Sequence, residues 1–448
     1  MATLKNQESV FCPALFLTAP ASGQGKTTVT AALARMLKRQ GKTVRVFKTG
    51  PDFLDPQILA QASGEHVEQL DLWMAGENYC RYQFYQAAQE ADLIIVEGAM
   101  GMFDGEPSSA DLAATFNIPM AIVMDVKGMA QTAAAIAIGL ANYRDDVHVA
   151  GLIANGCSTE RHRQLIEDAL PESLPLLATL ARSELVALPE RHLGLVQASE
   201  VRDELEQRFE AGADWLVEAG LENILERFAN VEFKFAELPI AEAYLKNKVI
   251  AVAKDEAFSF IYQANLLILQ ELGAEVKFFS PLHDAVIPDA DALWLPGGYP
   301  ELHAQKLAEN FSMLNSMKEF SDAKKPILAE CGGFLYCLED LTDLNDDTHV
   351  MANILAGQGA MKGKRGCQGM QTAIFPEGEV RAHAHHRSRS FNMPEALSHG
   401  RRQRHPAPGE AMYRYNNLNA SYLHLFFPSN PKAISCLFDP ELADAVTL

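Results

Sequence analysis

Short apolar runs alternate with amphipathic stretches through the first half of the chain. Ala14–Thr18 (ALFLT) reads as a buried strand, and residues from about Thr27 to Gln40 read as a helix ended by Gly41. Thr43–Phe47, Leu93–Val96, Met120–Met124 and Val149–Ala154 repeat the apolar theme. Strands spaced by helices predict crossover connections and a parallel sheet. Residues 158–235 are charged and helix-rich, with little strand signal. The pattern then resets. Val249–Ala253, Glu275–Phe279, Ala292–Leu295 and Ile327–Ala329 predict a second α/β series. The expected fold is α/β in two domains, 1–240 and 241–448. No low-complexity segment or internal repeat is evident.

A length of 448 residues suits two large domains. A formal charge of −20 argues against a general nucleic-acid binder, because phosphate backbones need clustered Lys and Arg. It does not exclude an acidic substrate held by a local basic patch. The densest such patch is Arg387–Arg404, a polar stretch with Arg387, Arg389, Arg401, Arg402 and Arg404, read as a loop. No apolar run reaches the length of a membrane span. The start, MATLKNQESV, has no export pattern. Seven cysteines, at 12, 80, 157, 331, 337, 367 and 436, include no CxxC, as expected of a reduced, cytoplasmic protein.

Between the first strand and helix lies Ser22-Gly23-Gln24-Gly25-Lys26-Thr27-Thr28. It matches the end of a phosphate-binding loop, although Pro20 stands where the strict pattern has its first glycine. Small residues let backbone N–H groups point at phosphate, and Gly23 partly compensates for Pro20. Lys26 is the candidate for the β- and γ-phosphates, Thr27 for Mg²⁺, and Thr28 continues the nucleotide contact. KTGPDFLDP (48–56) and VEGAMGMFDG (96–105) each follow a strand end. Ligands in open parallel sheets gather there, so Asp52 and Glu97 are candidate oxygen ligands for Mg²⁺. Taken singly, Asp52 and Asp55 read better as turn caps beside Pro51 and Pro56; the adjacent glycine loop favours function.

Ile327–Ala329 followed by Glu330-Cys331-Gly332-Gly333 has the strand–elbow–helix layout of an exposed nucleophile. A helix N-terminus favours thiolate. Gly297 and Gly298, in the turn LPGGYPE, and Gly332 are candidate oxyanion or glutamine contacts. His424 is the first choice for the base. His383, His385 and His386 resemble a metal cluster but lack a Cys or carboxylate partner at metal spacing, so no metal is expected there.

In order, the glycine loop, KTGPDFLDP, VEGAMGMFDG, LPGGYPE, AECGGFLY and NASYLHLFFPSNP resemble the cobyrinic and hydrogenobyrinic acid a,c-diamide synthase family, over nearly the whole chain. The resemblance implies a dethiobiotin-synthetase-like P-loop domain followed by a class I glutamine amidotransferase domain. Cys331 would attack the glutamine amide with help from His424. ATP would phosphorylate a corrinoid carboxylate, and ammonia would displace the phosphate at side chains c and a. The implied partners are a corrinoid, L-glutamine and ATP with Mg²⁺, without nucleic acid or membrane. A homodimer is entertained, although the sequence does not decide the assembly. Asp55, Asp104, Arg401 and Arg402 are candidate substrate contacts. Many class I amidotransferases carry Glu two residues after the histidine; here that position is Phe426, which leaves open what orients His424. Three alternatives stand beside this reading: cobyric acid synthase, a diamide synthase of another tetrapyrrole, and a MinD-like partitioning ATPase. The last has a signature lysine where this chain has Ala21.

Overall fold

Each apolar run of the first half becomes a strand of one sheet in the computed structural model. The structure describes residues 8–191, 194–195, 201–239, 241–361 and 368–446. Cys367, residue 240 at the expected boundary and residues 1–7 lie outside these. The chain divides into two units, Met1–Leu238 and Pro239–Leu448. Among the described residues, no helix is long and apolar enough to cross a membrane.

In the first unit the strands are β1 (Ser9–Thr18), β2 (Val44–Thr49), β3 (Glu68–Leu70), β4 (Leu93–Glu97), β5 (Met120–Asp125), β6 (Val149–Asn155) and β7 (Leu176–Leu180). They run parallel in the order β3-β2-β4-β1-β5-β6-β7. β2 and β4 are almost wholly buried because helices cover both faces, which is why they read as continuous apolar runs. Residues 158–235 hold more strand than expected. Besides β7 they contain a small ribbon, β8 (Glu190–Arg191) with β9 (Gly194–Leu195), and β10 (Asn230–Lys234). β10 pairs antiparallel with the first residues of β1 and buries only alternate positions, so its charged residues hid it. Helix α1 (Lys26–Arg39) follows β1 and packs against a helix at Arg202–Glu218; Arg35 reaches Glu206 and Glu210 there, at 2.6 and 2.8 Å.

The second unit starts as a parallel sheet and finishes antiparallel. β11 (Val249–Ala253), β12 (Glu275–Phe279), β13 (Ala292–Leu295) and β14 (Ile327–Glu330) form the parallel part, joined by Leu418–Ser421. Antiparallel strands then lead outward, ending with Gly378–Ala384 beside His424–Leu425. The stretch Arg387–Arg404 is not simply a loop. It contributes strands Arg389–Phe391 and Ser398–Arg402, the second paired on both sides.

Candidate active sites

The turn between β1 and α1 carries the first site. Gly25 caps α1 with φ +91°, a conformation that suits glycine. A β-carbon there would lie 2.5 Å from Nδ2 of Asn155. Asn155 ends β6 and donates to the Gln24 carbonyl at 3.0 Å, so the carboxyl edge of the sheet braces the loop. Gly23 also has positive φ, and Thr28 lies in the first turn of α1. Lys26 folds back over its own loop: Nζ donates to the Met100 carbonyl at 2.8 Å and the Ala21 carbonyl at 3.3 Å. Burial, then the nearby Lys48 charge, lowers its pKa. Phosphate oxygens are stronger acceptors for an ammonium than these carbonyls.

Beside it, Thr27 Oγ1 donates to Glu97 Oε1 at 2.8 Å and lies 3.4 Å from Asp55 Oδ2. Lys48, which sequence reasoning passed over, places Nζ 2.5 Å from each of the same carboxylates. Burial opposes the Lys48 charge, yet Glu97, Asp55 and Asp52 outweigh it and raise its pKa. Burial likewise raises Glu97 against the pull of Lys48. Burial works against the Asp55 carboxylate too, but there Lys48 prevails and holds its pKa low. A signal for Lys48 was present: a lysine at the end of a buried strand needs a partner.

The structure places Asp52 and Asp55 differently beside Glu97. Asp55 is the carboxylate that meets Thr27 and Lys48 beside Glu97. Asp52 Oδ1 accepts the N–H groups of Leu54 and Asp55 at 2.9 and 3.2 Å, and Oδ2 stays 3.9 Å from Lys48. The turn claims Asp52 because its carboxylate satisfies the exposed amides that open the helix Asp55–Ser63. Burial, then Asp55, raises the Asp52 pKa. Asp104 Oδ2 accepts the Gly101 N–H at 3.0 Å, which closes the neighbouring turn. Two carboxylates and a hydroxyl already gathered around a cation suit Mg²⁺, which takes few protein oxygens and completes its shell with water and phosphate. Among the described residues, no group of three or more His, Cys, Asp or Glu has the arrangement of a metal site, the three histidines at 383–386 included.

Cys331 carries the second site. It stands between β14 and the helix Gly332–Cys337 with φ +46° and ψ −101°, a strained conformation for a residue with a β-carbon. Its N–H donates to the Ser421 carbonyl at 2.8 Å. Gly297 lies between Cys331 and His424: a β-carbon on it would overlap His424 Cε1 and lie 3.3 Å from the Cys331 β-carbon. A β-carbon on Gly332 would lie 2.9 Å from the Gly298 nitrogen. The Gly298 nitrogen thus lies close to Gly332, the residue after the nucleophile, where backbone N–H groups can serve an oxyanion. Burial pushes the Cys331 thiol up, with Glu301 adding to it. Burial pushes His424 well down, reinforced by His383, His386 and His385.

The elements that hold His424 were invisible in the sequence. His424 pairs in register with His383. The next residue, Leu425, donates its N–H to Glu330 Oε1 at 2.9 Å, and Glu330 Oε2 accepts from Trp294 Nε1 at 3.0 Å. Asn265 completes the fastening: its Nδ2 donates to the Leu425 carbonyl and its Oδ1 accepts the Phe427 N–H, both at 2.8 Å. The backbone around His424 is therefore anchored by two buried polar side chains. Arg401 makes a two-pronged pair with Glu379, at 3.0 and 2.6 Å, on the surface of the sheet. Arg402 sits next to it on the same strand.

Comparison with known proteins joins the two sites. A family described as CobQ/CobB/MinD/ParA nucleotide binding domain matches residues 15–196. A second, CobB/CobQ-like glutamine amidotransferase domain, matches residues 249–432. The chain is 48% identical over 429 residues to hydrogenobyrinate a,c-diamide synthase of Stutzerimonas stutzeri, covering 96% of this chain and 99% of that one. It is 47% identical to the protein of that name from Pseudomonas aeruginosa, covering 96% and 98%. It is 43% identical to cobyrinate a,c-diamide synthase of Herminiimonas arsenicoxydans, covering 94% and 95%. The chain belongs to the family of cobyrinate and hydrogenobyrinate a,c-diamide synthases.

Proposed function

We propose, with that membership as the premise, that this chain is a glutamine-dependent ligase that amidates the a and c side-chain carboxylates of cobyrinic or hydrogenobyrinic acid, a step of cobalamin biosynthesis, and consumes ATP. The observation that carries the reading is the pairing on one chain of a phosphate loop lined by Lys26, Thr27 and Glu97 with a strained Cys331 set across Gly297 from His424.

At the second site, His424 takes the Cys331 proton as sulfur attacks the glutamine amide carbon. The N–H groups of Gly298 and Gly332 receive the developing oxyanion. His424 then hands the proton to the leaving nitrogen, and ammonia departs from a glutamyl thioester that water hydrolyses. Phe426 occupies the place of the usual third acid, so Cys331 and His424 act as a dyad. At the first site, Lys26 holds the phosphates while a corrinoid carboxylate attacks the terminal phosphorus of ATP and ADP leaves. Ammonia displaces phosphate from the resulting acyl phosphate and leaves the amide. Mg²⁺, when bound, neutralises phosphate charge, and Thr27, Asp55 and Glu97 are the residues to hold it, with Asp52 behind them. The proposal includes a cytoplasmic setting and a homodimeric assembly, the latter to be checked by sedimentation.

The test is incubation with ATP, Mg²⁺, glutamine and either cobyrinic or hydrogenobyrinic acid, followed by product mass. Two amidations per corrinoid are expected. Cys331→Ala should lose the use of glutamine but retain synthesis with a high concentration of ammonia. No amidation of either corrinoid would reject the proposal.

A further inference from the structure

Free glutamine is a zwitterion, so a pocket that takes it out of water must satisfy an ammonium as well as the amide. Three carboxyl groups bear on the Cys331 thiol: Glu301 most, then Glu410 and Glu330. Two of them already have partners. Glu330 accepts from Trp294 and Leu425. Glu410 accepts from His386 Nε2 at 2.9 Å, and that ring stacks on Tyr422 with centroids 3.8 Å apart.

Glu301 is different. It is only 7% exposed, and among the described residues no cation and no donor of another residue meets its carboxyl group. It sits in the short helical turn Pro300–Leu302, two residues beyond the Gly297-Gly298-Tyr299 sequence that supplies an oxyanion donor. That turn packs on the start of the nucleophile helix: a β-carbon on Gly332 would lie 2.9 Å from Pro300 Cδ. A buried carboxyl group met only by its own backbone N–H is costly to ionise, and a cationic ligand group offsets that cost.

We propose that Glu301 receives the α-ammonium of glutamine, so that the amide donor is recognised by its charged end. The proposal rests on the reading of Cys331 as the glutaminase nucleophile.

The test compares glutamine with glutaramate, which keeps the amide and the carboxylate but has hydrogen in place of the α-amino group. Ammonia release is measured for the wild type, Glu301→Gln and Glu301→Asp. The wild type is expected to favour glutamine by about 10- to 100-fold in kcat/KM, the range of a buried charge-assisted contact. Glu301→Gln should lower kcat/KM for glutamine by a similar factor and leave glutaramate within about twofold, with Glu301→Asp in between. Unchanged glutaramate hydrolysis also reports that the variant is folded. Equal losses on both substrates, or no preference in the wild type, would overturn the assignment of Glu301 alone. Absence of any glutamine hydrolysis in the wild type would overturn the glutaminase reading itself.

Discussion

The main-chain N–H of Leu425 donates to Oε1 of Glu330 at 2.9 Å, across 95 positions of sequence. Glu330 precedes the nucleophile and Leu425 follows the base, so one hydrogen bond ties both halves of the dyad. Glu330→Gln turns one of two acceptors into a donor that faces Trp294 or Leu425. A mismatch of this kind costs about 1–3 kcal/mol. Glutaminase kcat should fall about tenfold or more with a smaller change in KM, while ammonia-dependent synthesis persists. Steady-state glutaminase assays decide it; an unchanged kcat means the anchor is dispensable.

Glu330 also makes a prediction about pH. It is 2% exposed, and burial raises its pKa from the ordinary 4.5 to about 8. The folded state therefore holds a proton that the unfolded state releases between these values. Stability from this group is complete below about pH 4.5 and declines as pH rises towards 8. Denaturant unfolding from pH 5 to 8 should show a shallower decline in Glu330→Gln than in the wild type. Parallel curves would mean that Glu330 does not titrate in this window.

Cys331 and His424 rest as a neutral pair, because burial raises the thiol and lowers the imidazole. Alkylation of Cys331 by iodoacetamide in the absence of glutamine should be slow at pH 7 and still rising above pH 9, the ordinary thiol value. A plateau reached below pH 8 would show a preformed thiolate instead.

Lys26→Ala and Lys48→Ala should each reduce synthesis about a hundredfold or more, with glutamine or with ammonia, and spare glutaminase. The two should differ in stability. Removing Lys48 leaves Asp55 and Glu97 facing each other without the ammonium 2.5 Å from both, a loss of about 3–5 kcal/mol. Added Mg²⁺ should raise the melting temperature of Lys48→Ala more than that of Lys26→Ala, because only the first leaves Asp55 and Glu97 without a cation. Identical responses to Mg²⁺ would remove the distinction between the lysines.

Asp55→Asn should raise the Mg²⁺ concentration needed for half-maximal synthesis more than Asp52→Asn does. Asp55 stands 3.4 Å from Thr27 Oγ1, whereas Asp52 is engaged by the turn. Asp52→Asn should change both Mg²⁺ dependence and stability little, because the side-chain carbonyl can still accept from the turn. Magnesium titrations of both variants test the order, and the reverse order would return the primary role to Asp52.

The residues that need a special backbone announced themselves in the sequence. Gly25 at positive φ and Cys331 between a buried strand and a glycine pair are local features, and local sequence carries local backbone demands. The buried parallel strands were legible for the same reason, since a strand covered on both faces must be apolar throughout. β10 was not, because an edge strand with one wet face shows polar residues at every second position. Partnerships were decided only by the tertiary structure. Lys48 lies between Asp55 and Glu97 because β2 runs beside β4 and a turn brings the helix start back to their ends. The choice of Asp55 over Asp52, three positions apart, depends on which carboxylate the turn's amides capture. Glu330, Asn265 and His424 come together because the last strand of the sheet pairs beside Gly378–Ala384, far from the nucleophile in strand order. Which motifs exist is a matter of local chain chemistry; which side chains meet depends on strand order and register, and these arise from contacts among residues remote in sequence.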